Sequence, residues 1–276
     1  MTVLPIDFPS RAAAAPSVLD RLRDNHAGLT TAGLFCLAAA AVALSLPLVD
    51  GRVLDGVSVW SKPAKFFLSS GAFLLTMAWA FGFVPEPRRR TRRLVWSVRA
   101  TYGLFAFELG YITFQAARGE PSHFNVDGPA HAALYGAMGV AATMILLAAL
   151  PLALEIARRP RPGADPAMAF AAALGLGLTV VLGVATGFAI GANLGHAVGV
   201  KASGLPLLGW SRTSGDLRAA HFFGMHAAQA LPLLAAALAA AGVRRKRWIA
   251  LGGAAITGAT IAVLAQALAG RPFPFG

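Results

Sequence analysis

Charged side chains are scarce in this sequence: Asp, Glu, Lys and Arg make up 13% of its 276 residues, whereas hydrophobic residues make up 57%. A soluble domain carries about a quarter charged residues, so the polar side chains here are too few to cover a water-soluble fold. The apolar residues also lie in long blocks that match the thickness of a bilayer. The sequence therefore predicts an all-α integral membrane protein and excludes a soluble domain.

Cysteine and the common catalytic motifs are also missing. The only cysteine, Cys36, lies in an apolar run, which excludes an intrachain disulfide and a cysteine-based metal cluster. No GxxxxGK[ST], HExxH or GxSxG motif occurs, which removes the usual ATPase, metalloprotease and serine-hydrolase interpretations. The last apolar block has no lysine for a retinal Schiff base, and no repeat of the two halves suggests an inverted-repeat transporter.

Seven apolar blocks of about 20 residues are present, and they predict a seven-transmembrane-helix bundle. The predicted cytoplasmic N-terminal segment is 1–28, the single transmembrane domain is 29–269, and the predicted C-terminal tail is 270–276. The predicted spans are 29–49, 63–84, 95–117, 130–156, 167–190, 218–241 and 248–269. The fifth span carries glycines at four-residue spacing, which favours close helix packing.

The distribution of Lys and Arg predicts the orientation of this bundle. Sixteen of the 24 basic residues fall on the side of the N-terminus and eight on the other side. An N-terminus in the cytoplasm and a C-terminus outside follow from that asymmetry. Together with the Ala-rich composition, in which Arg outnumbers Lys, this indicates the plasma (inner) membrane of a bacterium. No extramembrane segment is long enough for a domain, so we expect the function to lie in the bundle or at its outer mouth.

Histidine is unusually concentrated near the predicted outer face. A lone histidine in a span is more often a hydrogen-bonded core residue, but five at one level favour a functional site. Asp216 is the expected N-cap of the sixth span. Gln229 lies one turn beyond His226 and is the expected hydrogen-bonding partner of that histidine. The five candidate ligands are His123, His131, His196, His221 and His226.

Glu108 lies about 14 Å below the outer end of the third span, with Tyr111 and Gln115 on the same stripe. A carboxylate at that depth is costly and indicates a functional site by default, so Glu108 is the candidate catalytic residue. Basic residues on the outer side, where positive charge is usually rare, indicate an anionic small molecule or lipid headgroup there. They are Lys62, Lys65, Arg118, Arg212 and Arg218.

Three functions fit these residues, and a b-type haem protein that transfers electrons, with a quinone as one possible partner, is the leading prediction. In it His131 pairs with His221 or His226 as an axial ligand. The propionates are then held by the cations Arg118, Arg212 and Lys65, while Glu108 and Gln229 tune the surroundings of the ligands. Nucleic acid is not expected as a partner, because basic loops in a membrane protein mainly record topology.

The alternatives are a zinc-dependent lipid hydrolase and a transporter or assembly subunit. In the hydrolase, three of the histidines with Glu108 or Asp216 would hold Zn²⁺ and an activated water. Seven-helix ceramidase-like hydrolases are a loose analogy, since their HxxxH spacing differs from that of His221 and His226. In the transporter, Glu108 and the histidines would form a proton relay or a solute site.

Overall fold

The structure, a computed structural model, describes residues 16–200, 204–205 and 209–274. Most of them are helical, in ten α-helices joined by short loops. The helices are α1 (Val18–Ser45), α2 (Ser61–Ala80), α3 (Glu86–Arg89), α4 (Arg92–Arg118), α5 (Pro129–Ala148), α6 (Leu150–Arg158), α7 (Pro166–Ala192), α8 (Leu217–Met225), α9 (Ala227–Ala240) and α10 (Lys246–Leu268). Two short hairpins pair β1 (Val53–Leu54) with β2 (Val57–Ser58) and β3 (Ala197–Val198) with β4 (Gly215–Asp216).

Five of these helical segments are long and apolar enough to cross a membrane, and the bent pair α8–α9 makes a sixth if it is one span. The five are Val18–Leu48, Ser61–Phe83, Pro129–Arg158, Pro166–Ala192 and Lys246–Leu268. The protein is thus an all-α multi-pass membrane protein. Helix α4 is 27 residues long, but it is not among those segments in the described chain.

Helix α1 begins earlier than the predicted span 29–49, and it is kinked. Its first residue follows the N-cap Ser17, whose hydroxyl accepts from Asp20 N in a capping box. His26 has non-helical backbone angles, and its ring Nδ1 accepts from Leu29 N at 3.1 Å, so His26 caps the membrane part of the helix. Part of the predicted N-terminal segment 1–28 is therefore helical, and residues 1–15 of it lie outside the described residues.

Helix α1 packs along α2 at a crossing of two glycines. A Cβ at Gly71 would lie 2.8 Å from Leu37 Cδ2 and 3.0 Å from Gly33 O, so a larger residue would separate the helices. On the other side α4 packs against α2 and α5. The predicted span 130–156 is divided into α5 and α6, since Pro151 lacks the N–H that would continue the helical ladder.

Helix α7 contacts α5, α6, α8, α9 and α10. It also stabilises a bend in the predicted span 218–241. The predicted helix 218–241 is bent by 52° between α8 and α9, at His226. The Thr179 hydroxyl of α7 donates to Met225 O at 3.1 Å and accepts from Ala228 N at 3.0 Å. These two bonds replace the backbone bonds lost at the bend.

The described residues of the loop between α7 and α8 include Leu205 and Trp210, which pack with Val263 and Leu264 of α10. Asp216 N-caps α8, as the sequence predicts, by accepting from Arg218 N at 3.0 Å. Strand β4 lies against α10, because Gly215 contacts the backbone of Ala267 so closely that no Cβ would fit. This packing fixes the loop on the bundle.

Candidate functional site

Lys62 on α2, Glu108 on α4 and His123 in the α4–α5 loop form a polar cluster, here called the Glu108 site. Lys62 is close enough to interact electrostatically with Glu108 and with His123. Its Nζ lies 6.0 Å from the centroid of the Phe66 ring, which in turn lies 5.5 Å from the His123 ring. Three separate elements thus bring an acid, a base and an imidazole to one place.

Glu108 is the most unusual member of this site. The residue is 4% exposed, and its Oε1 accepts no hydrogen bond from the described part of the chain. Burying a carboxylate oxygen without a partner costs several kcal/mol by order of magnitude unless a proton or a cation compensates it. The nearby Lys62 supplies part of that compensation, and the free oxygen can gain a proton or accept a hydrogen bond from a ligand.

His123 is held neutral beside this pair. Burial, and then the positive charge of Lys62, lower the pKa of His123 to about 3. Its ring packs against Phe66, Phe124 and Tyr135, and its Nδ1 lies 3.3 Å from Ser122 Oγ. A neutral imidazole can donate through one ring nitrogen and accept through the other, which suits it to relay a proton.

His131, which begins the fourth predicted span, is fixed by Asn125. The Asn125 amide donates to Pro121 O at 3.3 Å and to His131 Nδ1 at 2.9 Å, while its Oδ1 accepts from Asp127 N. These bonds leave the His131 Nδ1 as an acceptor, so the proton of the neutral ring is on Nε2. His131 in this tautomer has no lone pair on Nε2 with which to ligate a haem iron or Zn²⁺.

His221 has the opposite tautomer. Its Nδ1 lies 2.8 Å from Thr186 Oγ1, which itself donates to Leu182 O at 2.6 Å. Nδ1 is therefore the donor, and Nε2 keeps a lone pair. The ring edge lies against Gly187 of α7, where a Cβ would be 3.6 Å from His221 Cε1.

His226 and Gln229 lie at the bend between α8 and α9. His226 Nδ1 is 2.8 Å from Phe222 O, so this nitrogen donates and Nε2 again keeps a lone pair. Gln229, the predicted partner of His226, instead donates to Thr76 Oγ1 on α2 at 2.9 Å, and its Oε1 is buried with no partner in the described chain. Gln229 therefore connects α9 to α2.

Two of the outer cations predicted to hold an anion are paired with carboxylates of the protein. Arg118 Nη2 lies 2.8 Å from Glu120 Oε1, and Arg218 Nη2 lies 2.6 Å from the buried Asp216. Arg218 also contacts Gly209 O, close to Lys65. Arg212 is exposed. The positive charge predicted for the outer face is therefore partly neutralised by carboxylates of the protein itself.

The five candidate histidines are distributed over several elements. His196 lies next to β3, and its carbonyl accepts from Leu217 N at 2.8 Å. Among the residues that the structure describes, no group of three or more His, Cys, Asp and Glu could hold a metal ion. The prediction of a zinc site thus finds no ligand set in this part of the chain, and the haem prediction stays a prediction.

Sequence reasoning missed the threonines that act as partners of these polar groups. Thr186 orients His221, Thr179 bridges the bend, and Thr76 accepts from Gln229. A threonine in an apolar helix is common and usually bonds to its own backbone, so the sequence has no signal that marks these three. Lys62, predicted only as an outer cation, lies close enough to Glu108 to interact electrostatically with its carboxylate.

Comparison with known proteins adds no constraint on this site. The chain matches no protein-family model, no curated protein and no solved structure.

Proposed function

We propose that this protein is a proton-coupled membrane transporter of a small anion, and that the Glu108 site is where the proton and the anion bind. The observation that carries the proposal is the Glu108 carboxylate, 4% exposed, with one oxygen unpartnered among the described residues and Lys62 beside it. Intramembrane acid–base pairs of this kind characterise ion and proton pathways. The bend between α8 and α9 supports the same proposal, since broken helices line the sites of many transporters.

The transport proposal includes a seven-span topology with the N-terminus in the cytoplasm of a bacterium, in the inner membrane. Two arguments support it: α4, at 27 residues, is about 40 Å long, which is enough to cross a bilayer, and α4 packs against α2 and α5. Three of its basic residues, Arg92, Arg93 and Arg118, lie at its two ends, where long side chains reach the headgroups, and the fourth, Arg99, lies about two turns inside. Counting α4 and the α8–α9 pair gives seven spans.

In the proposed cycle Lys62 and Glu108 exchange partners. Without a solute, the Lys62 ammonium compensates the Glu108 carboxylate. An anion that reaches Lys62 takes over that charge, and Glu108 then gains a proton, so that the site binds one anion and one proton together. His123, neutral and close enough to Lys62 to interact with it electrostatically, is the group that relays the proton from the outer face.

The test is proton uptake by proteoliposomes that contain the purified protein and a trapped pH-sensitive dye. Acetate, lactate, succinate and phosphate would be added outside one at a time. We expect at least one of them to acidify the lumen, and we expect Glu108→Gln to abolish that coupled acidification because the amide cannot gain a proton. Glu120→Gln is the matched control, since Glu120 follows the same helix, two residues after its end, and is paired with Arg118 outside the site.

The proposal is wrong if correctly folded wild-type protein moves no protons with any of these anions. It is also wrong if Glu108→Gln transports protons as fast as wild type. Loss of transport in both Glu108→Gln and Glu120→Gln would assign the effect to the outer loop rather than to the Glu108 site.

A second candidate function, redox chemistry at a b-type haem, is favoured by the tautomer of His221. Its Nε2 lone pair, with Nδ1 bonded to Thr186, is the state in which histidine ligates iron. Bound haem would supply one-electron chemistry. An absorption spectrum of protein in mild detergent, before and after dithionite, with iron analysis on the same sample, distinguishes the two. A Soret band that shifts on reduction and disappears in His221→Ala would favour this candidate.

A further inference from the structure

A polar groove lies at the opposite end of the bundle from the Glu108 site, where α1 begins and α2 ends. Its volume is about 550 Å³. Its wall combines cationic, polar and aromatic side chains, so it differs from the apolar grooves expected on a lipid-facing surface. The residues that define it here, as the Arg21–Arg161 groove, are Arg21, Asp24, Asn25, Trp79, Phe83 and Arg161.

The backbone around this groove is fixed by hydrogen bonds between elements distant in sequence. Arg161 N donates to Phe83 O at 2.7 Å, which ties the α6–α7 loop to the end of α2. Arg89 Nη1 donates to the carbonyl oxygens of Asp24 and Asn25 at 3.1 and 3.4 Å, which ties α3 to α1. These bonds fix the backbone from which Arg161 extends and the carbonyls of Asp24 and Asn25, while the Arg21 and Arg161 side chains are exposed at the groove.

Positive charge is in excess at this place. Arg21 and Arg161 face the groove with a single carboxylate, Asp24, and neither arginine forms an ion pair within the described residues. Arg89 lies behind it, and burial, followed by the positive charge of Arg161, lowers the pKa of Arg89. The groove lining therefore contains two guanidinium groups and one carboxylate, an excess of positive charge that an anion would neutralise.

We infer that the Arg21–Arg161 groove binds the headgroup of an anionic phospholipid. Guanidinium groups bind phosphate through paired, charge-assisted hydrogen bonds. Trp79 and Phe83 supply the apolar wall for the upper part of the acyl chains, and tryptophan is typical of the membrane interface. Basic pockets between helices at the cytoplasmic side of membrane proteins are sites of this chemistry. The inference is independent of the proposed transport function.

General attraction between a basic protein surface and anionic lipids would also favour retention of an anionic lipid. The test therefore needs control variants that remove the same charge outside the groove. The chain provides them, because Arg23 and Arg159 are exposed arginines two residues from Arg21 and Arg161 that do not line the groove. Arg21→Gln/Arg161→Gln and Arg23→Gln/Arg159→Gln remove the same charge from the same two segments. The single variants Arg161→Gln and Arg159→Gln repeat the comparison if a double variant fails to fold.

The measurement is native mass spectrometry of purified protein mixed with equal amounts of phosphatidylglycerol and phosphatidylcholine in detergent. We expect wild type to retain one phosphatidylglycerol in preference to phosphatidylcholine. Arg21→Gln/Arg161→Gln should lower that retention about tenfold, the effect of losing one or two charge-assisted hydrogen bonds. Arg23→Gln/Arg159→Gln should retain the lipid within about twofold of wild type, as expected for distant exposed charges.

Three results would overturn the inference. Equal retention of phosphatidylglycerol and phosphatidylcholine by wild type would show that the headgroup is not recognised. Equal losses in the two double variants would show a diffuse charge effect without a site. Unchanged retention in the groove variant would place any bound lipid elsewhere.

Discussion

At the scale of single residues, Asp216 organises the end of the loop between α7 and α8. The side chain is 1% exposed, and its oxygens accept from Ser211 N at 2.9 Å and from the Arg218 backbone and guanidinium. Ser211 Oγ in turn lies 2.7 Å from Ser214 Oγ. One buried carboxylate thus holds both the turn before α8 and the first residues of that helix.

Removing the charge of Asp216 is expected to destabilise the protein. Asp216→Asn leaves the Arg218 guanidinium without its carboxylate, which costs about 2 kcal/mol once the partial exposure of Arg218 is allowed for. The measurement is the thermal unfolding temperature in detergent at pH 7. Asp127→Asn, in an exposed loop, is the control and should unfold as wild type does. Equal unfolding temperatures for all three proteins would contradict the prediction.

The Asp216–Arg218 ion pair also predicts how the stability difference between wild type and Asp216→Asn depends on pH. Burial alone would raise the pKa of Asp216, but the hydrogen bonds and charge of Arg218 outweigh it, so the pKa is lower than in the unfolded chain. The stabilisation is therefore complete above the unfolded value of about 3.9 and is lost as pH falls through the folded value. We expect the difference between wild type and Asp216→Asn to stay constant from pH 7 to pH 5 and to narrow below about pH 4.

The sequence identifies such polar residues better than it identifies their partners. Glu108 and Asp216 are visible because a carboxylate interrupts or borders an apolar run. The partner depends on which helices meet in space: His221 bonds to Thr186, 35 residues away, and Gln229 to Thr76, 153 residues away. Periodicity within one helix contains no information on these pairs.

At the scale of elements, the bend between α8 and α9 depends on Thr179. Thr179→Val keeps the shape of the side chain but leaves the buried Ala228 N–H without an acceptor, which costs about 1 to 3 kcal/mol. Thr260→Val is the matched control, because Thr260 is equally buried and bonds only to Ile256 O of its own helix. We expect the first variant to lower the unfolding temperature clearly more than the second. A larger effect of Thr260→Val would contradict this role.

Helix α7 also approaches this bend closely at Gly175. A Cβ there would lie 2.8 Å from Ala227 O, whereas a Cβ at Gly177, two residues along the same helix, would meet nothing within 4 Å. Gly175→Ala should therefore push the helices apart and destabilise by about 1 to 3 kcal/mol, as overpacking does. Gly177→Ala should be neutral or stabilising, since alanine favours a helix. Chemical denaturation in detergent of both variants checks the difference.

The positions of the helices could be predicted from the sequence, but the positions of the breaks within them could be predicted only in part. The break before α6 coincides with Pro151, a clear signal, whereas the bend at His226 has no proline and depends on bonds from α7. The glycines at four-residue spacing in and after the predicted fifth span, Gly183, Gly187, Gly191 and Gly195, illustrate the same limit. Gly183 packs against Met225 and Leu146, but a Cβ at Gly191 would meet nothing within 4 Å of the described chain, and Gly195 lies beyond the end of α7.

At the scale of the whole molecule, the two ends of the bundle differ in which of their arginines form ion pairs. At the end near Asp216, Arg52, Arg118 and Arg218 are paired with neighbouring carboxylates. At the other end, Arg88 is paired with Glu155 and Arg244 with Asp165, while Arg21 and Arg161 face an open groove. An excess of arginines without an ion pair at one end is typical of a cytoplasmic face. The proposed orientation and the proposed lipid site therefore depend on the same arginines.

The topology makes the last prediction. Reporter fusions after Gly56 and Asp127 should give alkaline phosphatase activity and no green fluorescence, since the proposed topology places both loops outside. Fusions after Arg90, Gly163 and Gly242 should give the reverse, because both reporters depend on the compartment in which they fold. The decisive comparison is Asp127 with Arg90, which flank α4. If α4 does not cross the membrane, the fusions after Asp127 and Arg90 both report the cytoplasm, and the fusion after Gly163 reports the outside. That result would contradict seven spans and would mean that Glu108 does not lie on a transmembrane helix.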